Sequence, residues 1–162
     1  MNGKKVDVKL PSNQMLFLDL CAGLELKMAE LYHYFEDLFA EDALFSLLWK
    51  KTAREEENHA QQFQLGVRLK GIGMQDITTD VSQAVTFLQK VETFLEKSIA
   101  SRPTQKEALI LAIKLEEQLA TFHMSSIVRF EDPRMKEMFE AMMDSDKGHI
   151  STLRDFLRRL ET

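Results

Sequence analysis

The stretch from Thr52 to Phe63 reads TAREEENHAQQF, and its reading decides the fold. On a helix, residues three apart share a face, so Glu56 and His59 point the same way. Both also fall on the stripe Phe45, Trp49, Thr52, Glu56, His59, Phe63, which is otherwise a core stripe at helical spacing. A carboxylate and an imidazole thus stand where leucines would fill an ordinary helix.

The pattern occurs twice. Near the end of the chain the stripe Phe139, Met142, Asp146, His149, Leu153, Phe156 carries a second acid-x-x-His, Asp146 with His149. Each of these helices is preceded by another with a matching opening: LELKMAELYHYF from Leu24 and LEEQLATFHMSS from Leu115. Glu25 lies between Cys21 and Met28, and Glu116 lies between Ile113 and Leu119, again at core positions. Thirty-one positions separate Glu25 from Glu56, and thirty separate Glu116 from Asp146. One acid-x-x-His arises by chance in any charged helix, but four acids and two histidines in duplicated order do not.

Four carboxylates converging in a core are unstable alone, because burial and mutual repulsion both disfavour their charged forms. Two divalent cations balance four negative charges, and neutral imidazoles complete the coordination. An oxygen-rich site with few imidazoles suits iron or manganese better than a structural zinc site, which favours thiolates.

The rest of the chain reads as helix. Hydrophobic residues make up 44% of it, against only 6 Gly and 3 Pro. Residues 1–12 read as an N-terminal arm and 13–162 as a single domain. Apolar residues Leu18, Cys21, Met28, Tyr32, Phe35 and Phe39 predict a first long helix over 13–40, capped by Ser12 or Asn13. Asp42 is a candidate cap for a second over 43–70, whose inner side adds Leu48 and Val67. Gly71-Ile72-Gly73 marks its end. A linker over 71–80 leads to a shorter helix opened by Asp80 or Ser82 and running to Ile99, with Val85, Leu88, Val91 and Leu95 on one face. Ser101-Arg102-Pro103-Thr104 breaks it. Two more long helices follow, over 104–130 and 134–160, joined by Glu131-Asp132-Pro133. Two short joints and one long crossing connection predict an all-α antiparallel four-helix bundle of ferritin-like layout, with the extra short helix in the crossover.

The arrangement resembles the rubrerythrin and ferritin superfamily, which uses a Glu on each of two helices and a Glu-x-x-His on each of the other two. AGLELKMAELYHYF (Ala22 to Phe35) and TAREEENHAQQF are the segments most similar to rubrerythrin helices. The resemblance spans most of 15–160, with specificity confined to the ligand positions. It implies Glu25, Glu56, His59, Glu116, Asp146 and His149 as ligands of two metal ions, iron first, with manganese, or zinc in a purified or crystallised sample, as alternatives. Either Glu56 and Asp146, or Glu25 and Glu116, would include the bridging carboxylates. It further implies peroxide- or dioxygen-dependent oxidoreductase chemistry of the peroxidase or ferroxidase type, in oxidative-stress defence. A non-catalytic bundle that stores or delivers iron is the alternative. Three departures stand out: Asp146 replaces the usual Glu, Leu119 occupies the place of an additional Glu, and no Cys-rich rubredoxin-like tail is present. An external electron donor is therefore implied, and by analogy a homodimer.

Tyr32 and His123 each stand seven residues after a ligand glutamate. They read either as groups that orient carboxylates, His123 also as a further ligand, or as packing. Glu30 is the rival of Glu25, but only Glu25 preserves the repeat. Glu30, Glu36, Glu55, Glu57 and Glu117 read as solvated faces, His33 as surface, and the methionines Met135, Met138, Met142 and Met143 as core filler. Cys21, the single cysteine, reads as a small buried hydrophobe in a reducing, cytoplasmic setting. The net charge of −5 argues against nucleic acid. Arg154, Arg158 and Arg159 read as a solvated last turn that complements the helix dipole. The longest clean apolar run, Ala108 to Ile113, is too short for a membrane span.

Overall fold

The computed structural model describes residues 13–68, 78–127 and 133–162. Among these, every regular element is a helix: α1 (Asn13–Leu38), α2 (Ala43–Arg68), α3 (Thr78–Ser101), α4 (Gln105–Ile127) and α5 (Pro133–Glu161). The four long helices read from the sequence are α1, α2, α4 and α5. The arm over 1–12, the glycine stop at 71–73, residues 131–132 of the last joint and the side chain of Val67 lie outside the described residues.

Local chemistry sets the boundaries. The Asp42 carboxylate accepts hydrogen bonds from the backbone N–H groups of Leu44 and Phe45, both at 3.1 Å, so it caps α2 as expected. Thr104 and Glu107 cap α4 reciprocally: Glu107 N–H donates to the threonine hydroxyl, and Thr104 N–H donates to the glutamate at 2.8 Å. Arg102 ends α3 in a left-handed conformation with φ of 49°, and its N–H donates to Ser98 O at 2.9 Å.

Cross-helix contacts fix the directions. Phe39 meets Phe45, and Glu25 meets His59, so α1 and α2 are antiparallel. Lys106 meets Glu161, and His123 meets Asp146, so α4 and α5 are antiparallel too. Phe45 meets Phe156 and Phe63 meets Phe139, which sets α5 antiparallel to α2. Tyr32 meets Glu116 and His123 meets Glu25, which sets α4 antiparallel to α1. The four helices form a ring around one core, running up, down, down, up.

Helix α3 carries the chain back along the outside of this ring, packed on α1 and touching α4 through Phe87 against Phe122 and Lys90 against Gln118. Two expectations about it are corrected. It spans 24 residues rather than a short segment from 80 or 82 to 99. Its buried face is Ala84, Phe87, Val91, Leu95 and Ser98, while Val85 is exposed and Leu88 only partly covered. The larger Phe87 takes the inward place because its ring packs edge-on against Phe122, and this turns Val85 to water.

The core is continuous through the ring, with Phe17, Leu18, Met28, Leu31, Phe35, Trp49, Phe63, Leu109, Leu119, Phe139 and Leu153 all buried. Met135 and Met142 are buried in it, as expected of core filler, and so is Cys21. Among the described residues, no helix is long and apolar enough to cross a membrane.

Candidate metal centre

Six of the buried polar side chains are the six read from the repeat: Glu25, Glu56, Glu116 and Asp146 are inaccessible, and His59 and His149 are 6% exposed. Each comes from the inward stripe of its own helix. Their neighbours along the bundle axis are aromatic. On one side lie Phe63, Phe122 and Phe139, packed around the His123 ring. On the other side Tyr32 stacks on Trp49 at 5.6 Å, and Phe35 lies against Trp49 at 5.0 Å.

Two groups of ligand-capable atoms result. Glu25, Glu56 and His59 form one, and Glu56, Glu116 and His149 form the other. Within each group the ligand atoms lie within 4.8 Å of one another. Glu56 belongs to both. Its Oε2 is 3.2 Å from His59 Nδ1, and its Oε1 is 3.0 Å from His149 Nδ1. Glu25 Oε2 is 3.8 Å from His59 Nδ1, and Glu116 Oε2 is 3.4 Å from His149 Nδ1.

The structure thus brings five of the six residues into these groups. Asp146 lies beside them but outside both. Its Oδ2 is 2.7 Å from His123 Nδ1, while Oδ1 is buried with no hydrogen-bond partner. The short aspartate side chain leaves it in reach of the imidazole of α4.

Tyr32 and His123, the two equivalent positions of the repeat, both touch the site. The Tyr32 hydroxyl donates to Glu116 Oε1 at 2.5 Å. His123 reaches the other way, with Nε2 at 3.2 Å from Glu25 Oε1 but out of hydrogen-bond alignment. One further residue expected on a solvated face also reaches the site: Glu55 is partly exposed, and its Oε2 meets His149 Nε2 at 2.5 Å. The other carboxylates set aside as surface groups pair there. Glu30 binds Lys27, Glu36 and Glu57 hold the two nitrogens of a half-exposed His33, and Glu117 pairs with Arg154. Arg158 pairs with Asp155, and Arg159 lies over the Phe156 ring.

The electrostatics are those of a crowded, dry carboxylate cluster. Burial opposes charge on Glu25, but the imidazoles of His123 and His59 outweigh it and hold its carboxyl below the ordinary value. Burial and the neighbouring charge of Glu56 push Glu116 up, against the pull of His149. Burial also raises Asp146 despite His123. Burial opposes charge on His59, but Glu25 and Glu56 push it up to about 10. Burial likewise opposes charge on His123, but Asp146 and Glu25 push it up to about 10. His149 is raised as well, with Glu116, Glu55 and Glu56 overcoming its burial. Burial, reinforced by the charge of Glu116, raises Tyr32 and keeps it a hydrogen-bond donor.

The donors present do not satisfy the acceptors. Both oxygens of Glu25, Oε1 of Glu56 and Oδ1 of Asp146 are buried without a hydrogen bond. Orphaned acceptors of this kind are rare in protein interiors. Here they converge with imidazole nitrogens, so the donor set fits two small divalent cations.

No protein-family model matches this sequence, and no curated protein matches it.

Proposed function

We propose that the chain is a two-metal carboxylate protein of the rubrerythrin-like, ferritin-like kind. In this reading an iron pair serves peroxide- or dioxygen-dependent oxidation, with electrons from a separate donor. The observation that carries it is Glu56, which offers one oxygen to each of two carboxylate–histidine groups. The up-down-down-up ring with α3 in the single crossover supports the ferritin-like layout.

Glu25, Glu56 and His59 would hold one cation, and Glu56, Glu116 and His149 the other. When bound there, iron would supply reducing equivalents and Lewis acidity for peroxide- or dioxygen-dependent oxidation. The chain's own contribution is to position and exclude. Tyr32 donates to Glu116 and fixes that carboxylate in place. The rings on either side keep water away from the cluster and so strengthen every charge interaction within it.

The test is metal analysis of anaerobically purified protein, followed by iron-dependent peroxide consumption. Glu56→Ala removes the shared carboxylate and is expected to abolish both metal retention and consumption. Full activity in that variant would sink the reading. A homodimer accompanies the proposal, and sedimentation analysis checks it.

A non-catalytic iron-holding bundle is the second reading. The geometry of Asp146 favours it, because one oxygen is engaged by His123 rather than by either group. Iron retained without peroxide turnover would select it.

A further inference from the structure

The repeat makes the two halves comparable position by position, and the comparison exposes two differences around the cations. Position 55 in the first half corresponds to 145 in the second. Glu55 reaches across to His149 and takes its Nε2 at 2.5 Å, leaving Nδ1 directed at Glu56 and Glu116. The equivalent residue, Ser145, has no carboxylate to offer, and among the described residues His59 Nε2 makes no hydrogen bond. Position 32 corresponds to 123. Tyr32 anchors Glu116 with a hydroxyl bond of 2.5 Å. His123 instead stands near Glu25 without an aligned bond, and both Glu25 oxygens are unsatisfied.

So the terminal carboxylate and the histidine of one group are each held by an outer hydrogen bond, whereas in the other group Glu25 has only the unaligned contact with His123 and His59 has no outer hydrogen bond among the described residues. A ligand held in place loses less freedom when it binds, and an anionic partner on the far nitrogen makes an imidazole a stronger donor. Resting on the two-metal reading above, we infer that the two positions are unequal. The Glu56–Glu116–His149 position binds its cation first and more tightly, and Glu55 is the positioning residue chiefly responsible.

Glu55 is suited to a test, because it is half-exposed and its removal leaves the core intact. Cobalt(II) is the probe. Crystals of the full chain loaded with one equivalent should show the anomalous signal at Glu116 and His149. Titration should resolve a tight and a weak step. Outer-partner substitutions cost metal affinity by about 10- to 100-fold. Glu55→Ala is expected to weaken the tight step by that amount and spare the weak one. Glu55→Gln, which keeps an acceptor without the charge, should restore part of the loss. Ser145→Glu, which supplies the missing partner to His59, should tighten the weak step. Equal occupancy, a first signal at Glu25 and His59, or a Glu55→Ala titration like that of the parent overturns the inference and leaves the two-metal reading standing. Failure of the parent chain to bind cobalt, manganese or iron overturns both.

Discussion

The Tyr32 hydroxyl and the Glu116 carboxylate, 84 residues apart in sequence, meet at 2.5 Å inside the bundle. This bond joins the two halves of the repeat, because Tyr32 lies on α1 and Glu116 on α4. Tyr32→Phe keeps the ring on Trp49 but leaves Glu116 short of a donor. An unsatisfied buried acceptor costs about 1–3 kcal/mol. Denaturant unfolding of the variant in chelator should show a loss of that order, with the helical circular dichroism spectrum unchanged.

Protons and cations compete for the same nitrogens. His59 and His123 are both pushed up to about 10 by the carboxylates around them. Their raised values stabilise the metal-free fold fully below the ordinary histidine value of about 6.5, and that contribution fades as pH rises through about 10. Melting in chelator should therefore weaken on the alkaline side. Metal binding should release protons and tighten as pH rises across the same window. Calorimetry in buffers of different ionisation enthalpy measures the release, and a buffer-independent heat would contradict it.

Gly148 sits exposed within α5, directly before His149, and a Cβ there meets nothing within 4 Å. Glycine in a helix interior costs about 1 kcal/mol relative to alanine. Gly148→Ala should raise stability by about that amount and leave metal content unchanged. Thermal melts and elemental analysis check the two parts.

Arg102 holds a left-handed conformation at the end of α3, where a Cβ is unfavourable by about 1–2 kcal/mol. Glycine avoids that strain but loses more backbone freedom on folding, by about 0.5–1 kcal/mol. Arg102→Gly should give a net gain of at most about 1.5 kcal/mol in unfolding free energy, read as a higher denaturant midpoint at unchanged slope.

The residues of the site were legible because they break a rule. A glutamate in a stripe of phenylalanine and tryptophan, repeated at matched intervals, has few explanations, and all four acids so marked are buried in the core. Glu55 was not legible. It neighbours Glu56 in sequence but points about 100° around the helix, and only the approach of α5 shows that His149 waits there. Asp146 was legible as a core acid, but its pairing with His123 depends on the distance between α4 and α5. The first turns of helix α3 are assigned the wrong inward residues for a related reason, although Val91 and Leu95 are buried as expected. The helix packs against the ring from outside, and its two candidate stripes, through Val85 and Leu88 or through Ala84 and Phe87, are both apolar. The choice falls to Phe122 on another helix.

The rings that cap the carboxylate cluster along the bundle axis leave its slightest cover on the flank, where His59 and His149 face each other between α2 and α5 at 6% exposure. The two imidazoles are thus the outer edge of the cluster, so a proton or a cation approaching from that flank meets His59 and His149 before it meets any of the four buried acids.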